Sequence, residues 1–246
     1  MLASMTGYAF GDDRPARDRL ELLDAIFRAS TEALLARVPP DGVRTVLDLG
    51  CGVGCTTASL LRGFPAGTVI GIDTSAAMVE AAAERHGERA RFRVGDVTRA
   101  PLHDAPVDLV FARLLLAHLP HPGAAIGAWR DQLAPGGRLV LEEIDGLETD
   151  DPAFARHLAL VERVMGRGGT QLRMGARLGE LAQAAAVHDG IARVTPPTAD
   201  AARLFALNLP RLDPDDAELA RDLAARAGGA PARPVTWRVR QLVLAA

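Results

Sequence analysis

The stretch that most constrains this chain is Val46-Leu47-Asp48-Leu49-Gly50-Cys51-Gly52-Val53-Gly54. Its aliphatic half reads as a buried strand, Thr45 to Leu49, and it ends in glycines at alternate positions. Such glycines let a backbone turn tightly after a strand and approach a ligand closely. The loop departs from the dinucleotide pattern Gly-x-Gly-x-x-Gly. Gly50 and Gly52 fit, but Cys55 takes the third position and the last glycine comes one residue early, at Gly54.

The pattern around the loop alternates. Thr68–Ile72, Arg91–Val94, Val107–Phe111 and Arg138–Ile144 read as strands, with helical patterns at Thr56–Leu61, Ser75–His86 and Ala124–Leu133. That order predicts βαβ units and a parallel sheet, with ligands at the carboxyl ends of its strands. Ahead of it, Arg17 to Val38 carries apolar residues at helical spacing until Pro39-Pro40. Beyond Asp150, Pro152–Met165, Ala176–Ala186 and Asp200–Ala227 read as helices, the last broken at Pro210 and Pro214. Ile191–Val194 and Val235–Leu244 read as strands.

Two carboxylates strengthen the loop as a ligand site. Asp73 ends the second strand, where it can accept from both hydroxyls of a ribose, and Asp96 follows the third, where it can accept from an adenine amino group. Composition removes other chemistries. The 246 residues include 28 basic ones, all arginine, so there is no Schiff-base lysine and no Walker lysine. A net charge of −3 gives no footprint for nucleic acid or an anionic membrane. Cys51 and Cys55 lack the partners of a zinc site. Met1 to Phe10 lacks a signal-peptide pattern, and no apolar run reaches the roughly 18 residues of a membrane span, so a cytoplasmic location is expected.

With these residues in place, the chain resembles the class I S-adenosylmethionine-dependent methyltransferases of the bacterial small-molecule type. Val46–Gly54 looks like the first motif, Gly71–Ser75 the second and Gly95-Asp96-Val97 the third. Val107–Arg113 looks like the fourth, and Leu133–Gly137 precedes the fifth strand. The resemblance implies an α/β, Rossmann-like doubly wound sheet of seven strands, mostly parallel with an antiparallel last strand, plus helical lid elements. Residues 1–40 would form an N-terminal helical lid. Residues 41–246 would form the cofactor-binding domain, with helical insertions at about 150–186 and 198–228.

The cofactor so implied is S-adenosylmethionine, its product S-adenosylhomocysteine, and no metal is expected. Gly50, Gly52 and Gly54, with Asp48 before them, would line the methionine portion. Asp73 and Thr74 would hold the ribose, Met78 would pack near the adenosine, and Asp96 with the backbone of Val97 would read the adenine. Arg113 would sit near the amino acid portion and the reacting methyl. Tyr8 and Arg19 would reach the cofactor from the lid.

A sulfonium methyl needs alignment and exclusion of water more than it needs a catalytic group. A base is required only where the acceptor starts protonated. The candidates are His118, after the fourth strand, and Glu142 and Glu143, at the end of the fifth. The expected acceptor is a small molecule, a bacterial specialised metabolite, with O-methylation ahead of N- or C-methylation. The protein itself would be a monomer or homodimer. Two other readings are a cofactor-binding relative that catalyses cyclisation or serves as a partner subunit, and a nicotinamide oxidoreductase, which Cys55 disfavours.

Overall fold

The computed structural model describes residues 11–102, 106–167, 171–182 and 186–246. Strands β1 (Thr45–Leu49), β2 (Thr68–Asp73), β3 (Arg91–Val94), β4 (Val107–Arg113), β5 (Leu133–Thr149), β6 (Ala186–Val194) and β7 (Val235–Ala245) form one sheet. Their order is β3-β2-β1-β4-β5-β7-β6. β1 to β5 run parallel, and β7 is antiparallel to both β5 and β6. The strand order reverses beside β1, which sets a crevice above the glycine loop between β1 and β4.

Helices α1 (Arg14–Leu35), α2 (Cys55–Gly63), α3 (Ala76–His86), α4 (Pro122–Arg130), α5 (Pro152–Arg167), α6 (Gly175–Ala182), α7 (Thr198–Leu212) and α8 (Ala217–Ala227) cover the sheet. Side chains alternate across a strand, so the central strands feed two cores. Val46, Leu109, Phe111, Val140 and Val243 pack with Leu34 and Leu35 of α1 and Leu60 of α2. Leu47, Val110, Leu139, Leu141 and Leu242 pack with Trp129 of α4 and Leu178 of α6. A third core joins Phe27 of α1 to α5, α7 and α8 through Phe154, Phe205, Leu219 and Trp237.

Asp13 caps α1 by accepting from the Ala16 N–H at 3.1 Å, so the helix starts three residues earlier than its apolar pattern predicts. Ser75 caps α3 in the expected way, accepting from the Met78 N–H. Two expectations are corrected. Pro210 lies inside the last turn of α7 rather than breaking it, where the helix is held by Leu204, Phe205 and Leu209, buried in the turns ahead of it. Ala186, expected to close the helix begun at Ala176, instead lies in β6, where it pairs with Leu244.

Candidate functional site

The glycine loop leaves β1 with Gly50, Gly52 and Gly54 at φ of 65°, 52° and 77°, a region costly to residues with a Cβ. The N–H groups of Gly50 and Cys51 donate to the Ile72 carbonyl of β2. Asp73 then bridges two backbone segments. Its Oδ2 accepts from Gly52 N–H and its Oδ1 from Ser75 N–H, each at 2.9 Å. Asp48 supports the loop from beneath, accepting from the Thr56 and Thr57 hydroxyls at 2.8 and 2.6 Å. Burial pushes the Asp48 carboxyl up to about 6, against those hydroxyls and Arg113.

The loop is lined closely on two sides. A Cβ added at Gly50 would lie 2.9 Å from the Leu115 side chain, and one at Gly52 would lie 3.0 Å from Leu20 of α1. Met78 is buried with Ala16, Val53 and Cys55. A bare-backbone cradle with a carboxylate at the next strand end fits the methionine and ribose portions of S-adenosylmethionine. Thr74 is exposed beside Asp73. Asp96, also exposed, accepts from Thr98 N–H and Oγ1 and pairs with Arg99, while the carbonyl of buried Val97 accepts from Trp129 Nε1. Tyr8 lies outside the described residues.

Beside the loop, three strands present a polar row. Arg113 of β4 is in register with Glu142 of β5, and Glu142 with Gln241 of β7. All three point to the α1 side. The Arg113 guanidinium donates to Asp24 Oδ1 at 2.9 Å and to Thr31 Oγ1 at 3.1 Å. Glu142 Oε2 accepts from Thr31 Oγ1 at 2.5 Å, and Oε1 accepts from Gln241 Nε2 at 2.8 Å and from Ser30 Oγ. Arg113 and Glu142 are therefore anchors for α1, with their polar atoms occupied by it. Asp24, Ser30, Thr31 and Gln241 were not legible as site residues. The available signal was a polar pair seven residues apart, Asp24 and Thr31, on the face that carries Phe27 and Leu34.

Glu143, the neighbour of Glu142 along β5, faces the opposite side. Its Oε1 accepts from the N–H groups of Leu115 and Leu116 at 2.8 and 2.7 Å. Burial pushes this carboxyl up to about 8, against the backbone donors. The segment it holds begins at Leu114, whose φ of 53° costs a non-glycine residue roughly 1–3 kcal/mol. It continues as a single turn, Leu116–His118. His118 is half-buried near Arg19 of α1, and burial, then that neighbouring cation, push its imidazole down to about 4. A cavity of about 650 Å³ opens elsewhere, between α1 and β6, and none of the glycine-loop residues lines it.

Among the described residues, no group of three or more His, Cys, Asp or Glu side chains is placed to hold a metal ion. No helix among them is long and apolar enough to cross a membrane.

Comparison with known proteins agrees with this geometry. Residues 46–137 match the family described as methyltransferase domain. A trans-aconitate 2-methyltransferase of Methylobacterium nodulans is 36% identical over 148 residues, covering 60% of this chain and 56% of that protein. The chain thus spans less than two thirds of that relative's length. Among solved structures, a methyltransferase-like protein of Bacillus halodurans superposes with a TM-score of 0.59 at 16% identity, covering 88% of this chain and 98% of its own. Phosphoethanolamine N-methyltransferase 2 of Haemonchus contortus, solved with S-adenosylhomocysteine, gives 0.60 at 17% identity, covering 96% of this chain and 59% of its own. Glycine loop, strand-end carboxylates and sheet order converge with these similarities: residues 46–137 match a methyltransferase domain, and the chain around them is similar to S-adenosylmethionine-dependent methyltransferases in sequence and fold.

Proposed function

We propose that this chain transfers a methyl group from S-adenosylmethionine to an oxygen of a small acid. The observation that carries this reading is the fate of the three side chains offered as bases. His118, pushed down to about 4, is a weak base at neutral pH. Both oxygens of Glu142 accept from Ser30, Thr31 and Gln241. Glu143 is 1% exposed and holds backbone N–H groups on the other face of β5. An acceptor oxygen that is already ionised needs no base, and a carboxylate meets that condition. The Methylobacterium relative names trans-aconitate, a carboxylic acid, which supports the same class.

When bound, the cofactor supplies a methyl group on a sulfonium. The chain's own residues then have three tasks: hold the cofactor, orient the acceptor and exclude water. Gly50, Gly52 and Gly54 take the methionine portion, with Asp48 bracing the loop. Asp73 and Thr74 take the ribose, Met78 the adenosine edge, and Asp96 with Val97 the adenine. Residues 1–40 act as a lid that brings Tyr8 and Arg19 over the cofactor, and Arg113 fastens it. Residues 150–186 and 198–228 wall the acceptor side. We place the acceptor in bacterial specialised metabolism.

A pH–rate profile tests the acceptor class. With trans-aconitate and related di- and tricarboxylic acids, kcat/KM should stay flat between pH 6 and 8, and His118→Ala should keep turnover within about tenfold. Base-assisted methylation of a hydroxyl would instead rise with pH and lose on the order of 10²-fold or more in that variant.

A further inference from the structure

Glu143 is a buried carboxyl that the proposed reaction leaves without a task. It is 1% exposed, and its Oε1 is shared by two successive N–H groups, Leu115 at 2.8 Å and Leu116 at 2.7 Å. Those donors open the single turn Leu116–His118, whose first N–H groups have no partner within the turn. Immediately before them, Leu114 stands at φ 53°. A leucine keeps that conformation only where its surroundings impose it. On one side the β4–β5 ladder holds it, through Leu114 N–H to the Glu142 carbonyl at 2.8 Å. On the other side the only side chain bonded to the turn's leading N–H groups is Glu143, among the described contacts.

The turn so held touches the site twice. Leu115 packs over Gly50, where an added Cβ would lie 2.9 Å from its Cδ1. His118, three residues on, is half-buried near Arg19 of α1. The position of one carboxyl therefore sets both the wall of the glycine loop and the placement of His118. We propose that Glu143 is a positioning residue for methyl transfer: by accepting from Leu115 and Leu116 it seats the strained Leu114–His118 turn against the glycine loop. A neutral acceptor is sufficient for this, because burial pushes the carboxyl up to about 8. The role rests on the methyl-transfer reading for its effect on turnover, but not for its effect on the loop.

The experiment compares Glu143→Gln, which keeps an acceptor oxygen, with Glu143→Met, which fills similar volume without one. Amide hydrogen exchange, S-adenosylhomocysteine affinity and turnover are measured on the full chain. Glu143→Met should exchange Leu115 and Leu116 at least tenfold faster while β5 stays protected. It should also raise the S-adenosylhomocysteine Kd about tenfold and lower kcat on the order of 10²-fold, with acceptor KM changed less than threefold. Glu143→Gln should restore all of these to within about threefold of wild type. Should Glu143→Met fail to fold, Leu115→Ala removes the contact that the held turn makes over Gly50, with Glu143 in place, and should raise the S-adenosylhomocysteine Kd and lower kcat at least tenfold. Wild-type exchange and affinity in Glu143→Met, equal damage in both Glu143 variants, or a wild-type Leu115→Ala would each overturn the proposal. A wild-type chain that moves no methyl would defeat the methyl-transfer reading alone, because exchange and affinity still decide the positioning.

Discussion

Asp24 of α1 and Arg113 of β4 form an ion pair of 2.9 Å with side chains only 1% and 6% exposed. They lie 89 residues apart in sequence, and their bond ties the N-terminal helix to the strand end beside the glycine loop. Removing Asp24 strands the Arg113 charge in the interior, which costs about 3–5 kcal/mol, whereas removing Arg113 leaves Asp24 paired with Arg28 at 2.7 Å. Asp24→Ala should show a loss of that size in urea unfolding, and Arg113→Ala a smaller one. The double variant should recover part of it, and simple additivity would show that the pair is not coupled.

Asp73 joins the glycine loop to the start of α3 through two 2.9 Å bonds, and it stands where the ribose is assigned. Asp73→Ala should weaken S-adenosylhomocysteine binding by about 2–3 kcal/mol, roughly 30- to 150-fold. Calorimetric titration of the folded variant measures this directly. An unchanged Kd would remove Asp73 from the cofactor site.

His157 is fully buried, stacked on Phe205 at 4.3 Å, and neither ring nitrogen has a hydrogen-bond partner. Burial pushes its pKa down to about 3, below the roughly 6.5 of the unfolded chain. The unfolded chain therefore binds a proton first as pH falls. The stability tied to a neutral His157 is complete above about pH 6.5 and drains away as pH drops toward 3. His157→Phe keeps the stacked ring and removes two unpaired polar atoms, so it should stabilise the fold by about 1–3 kcal/mol at pH 7. Its advantage over wild type should widen between pH 6.5 and 4 in urea titrations. A gap that narrows with acid would contradict this account.

The strands, the glycine loop and Asp73 were legible because their signals are local. A β-branched run, glycines at alternate positions and a carboxylate at a strand end need no knowledge of distant partners. The anchoring of α1 was not legible in the same way. Asp24 and Thr31 reveal themselves as polar residues on an apolar helix face, but nothing near them in sequence names Arg113 or Glu142 as partners. Glu142 and Glu143 carry a lesson about alternation. Adjacent residues on a strand face opposite ways, so they could not both turn toward one acceptor, and the structure gives them separate tasks on the two faces of β5. The extent of β6 was hidden because pairing with β7, rather than local pattern, draws Ala186–Gly190 into the sheet.

The most direct test of methyl transfer to a small acid uses methyl-labelled S-adenosylmethionine, the purified chain, and a panel of di- and tricarboxylic acids that includes trans-aconitate. Products are followed by mass spectrometry before and after mild alkali. The account predicts a labelled monoester that alkali returns to the free acid. A labelled product stable to alkali, or no label in any acid despite tight S-adenosylhomocysteine binding, would contradict it.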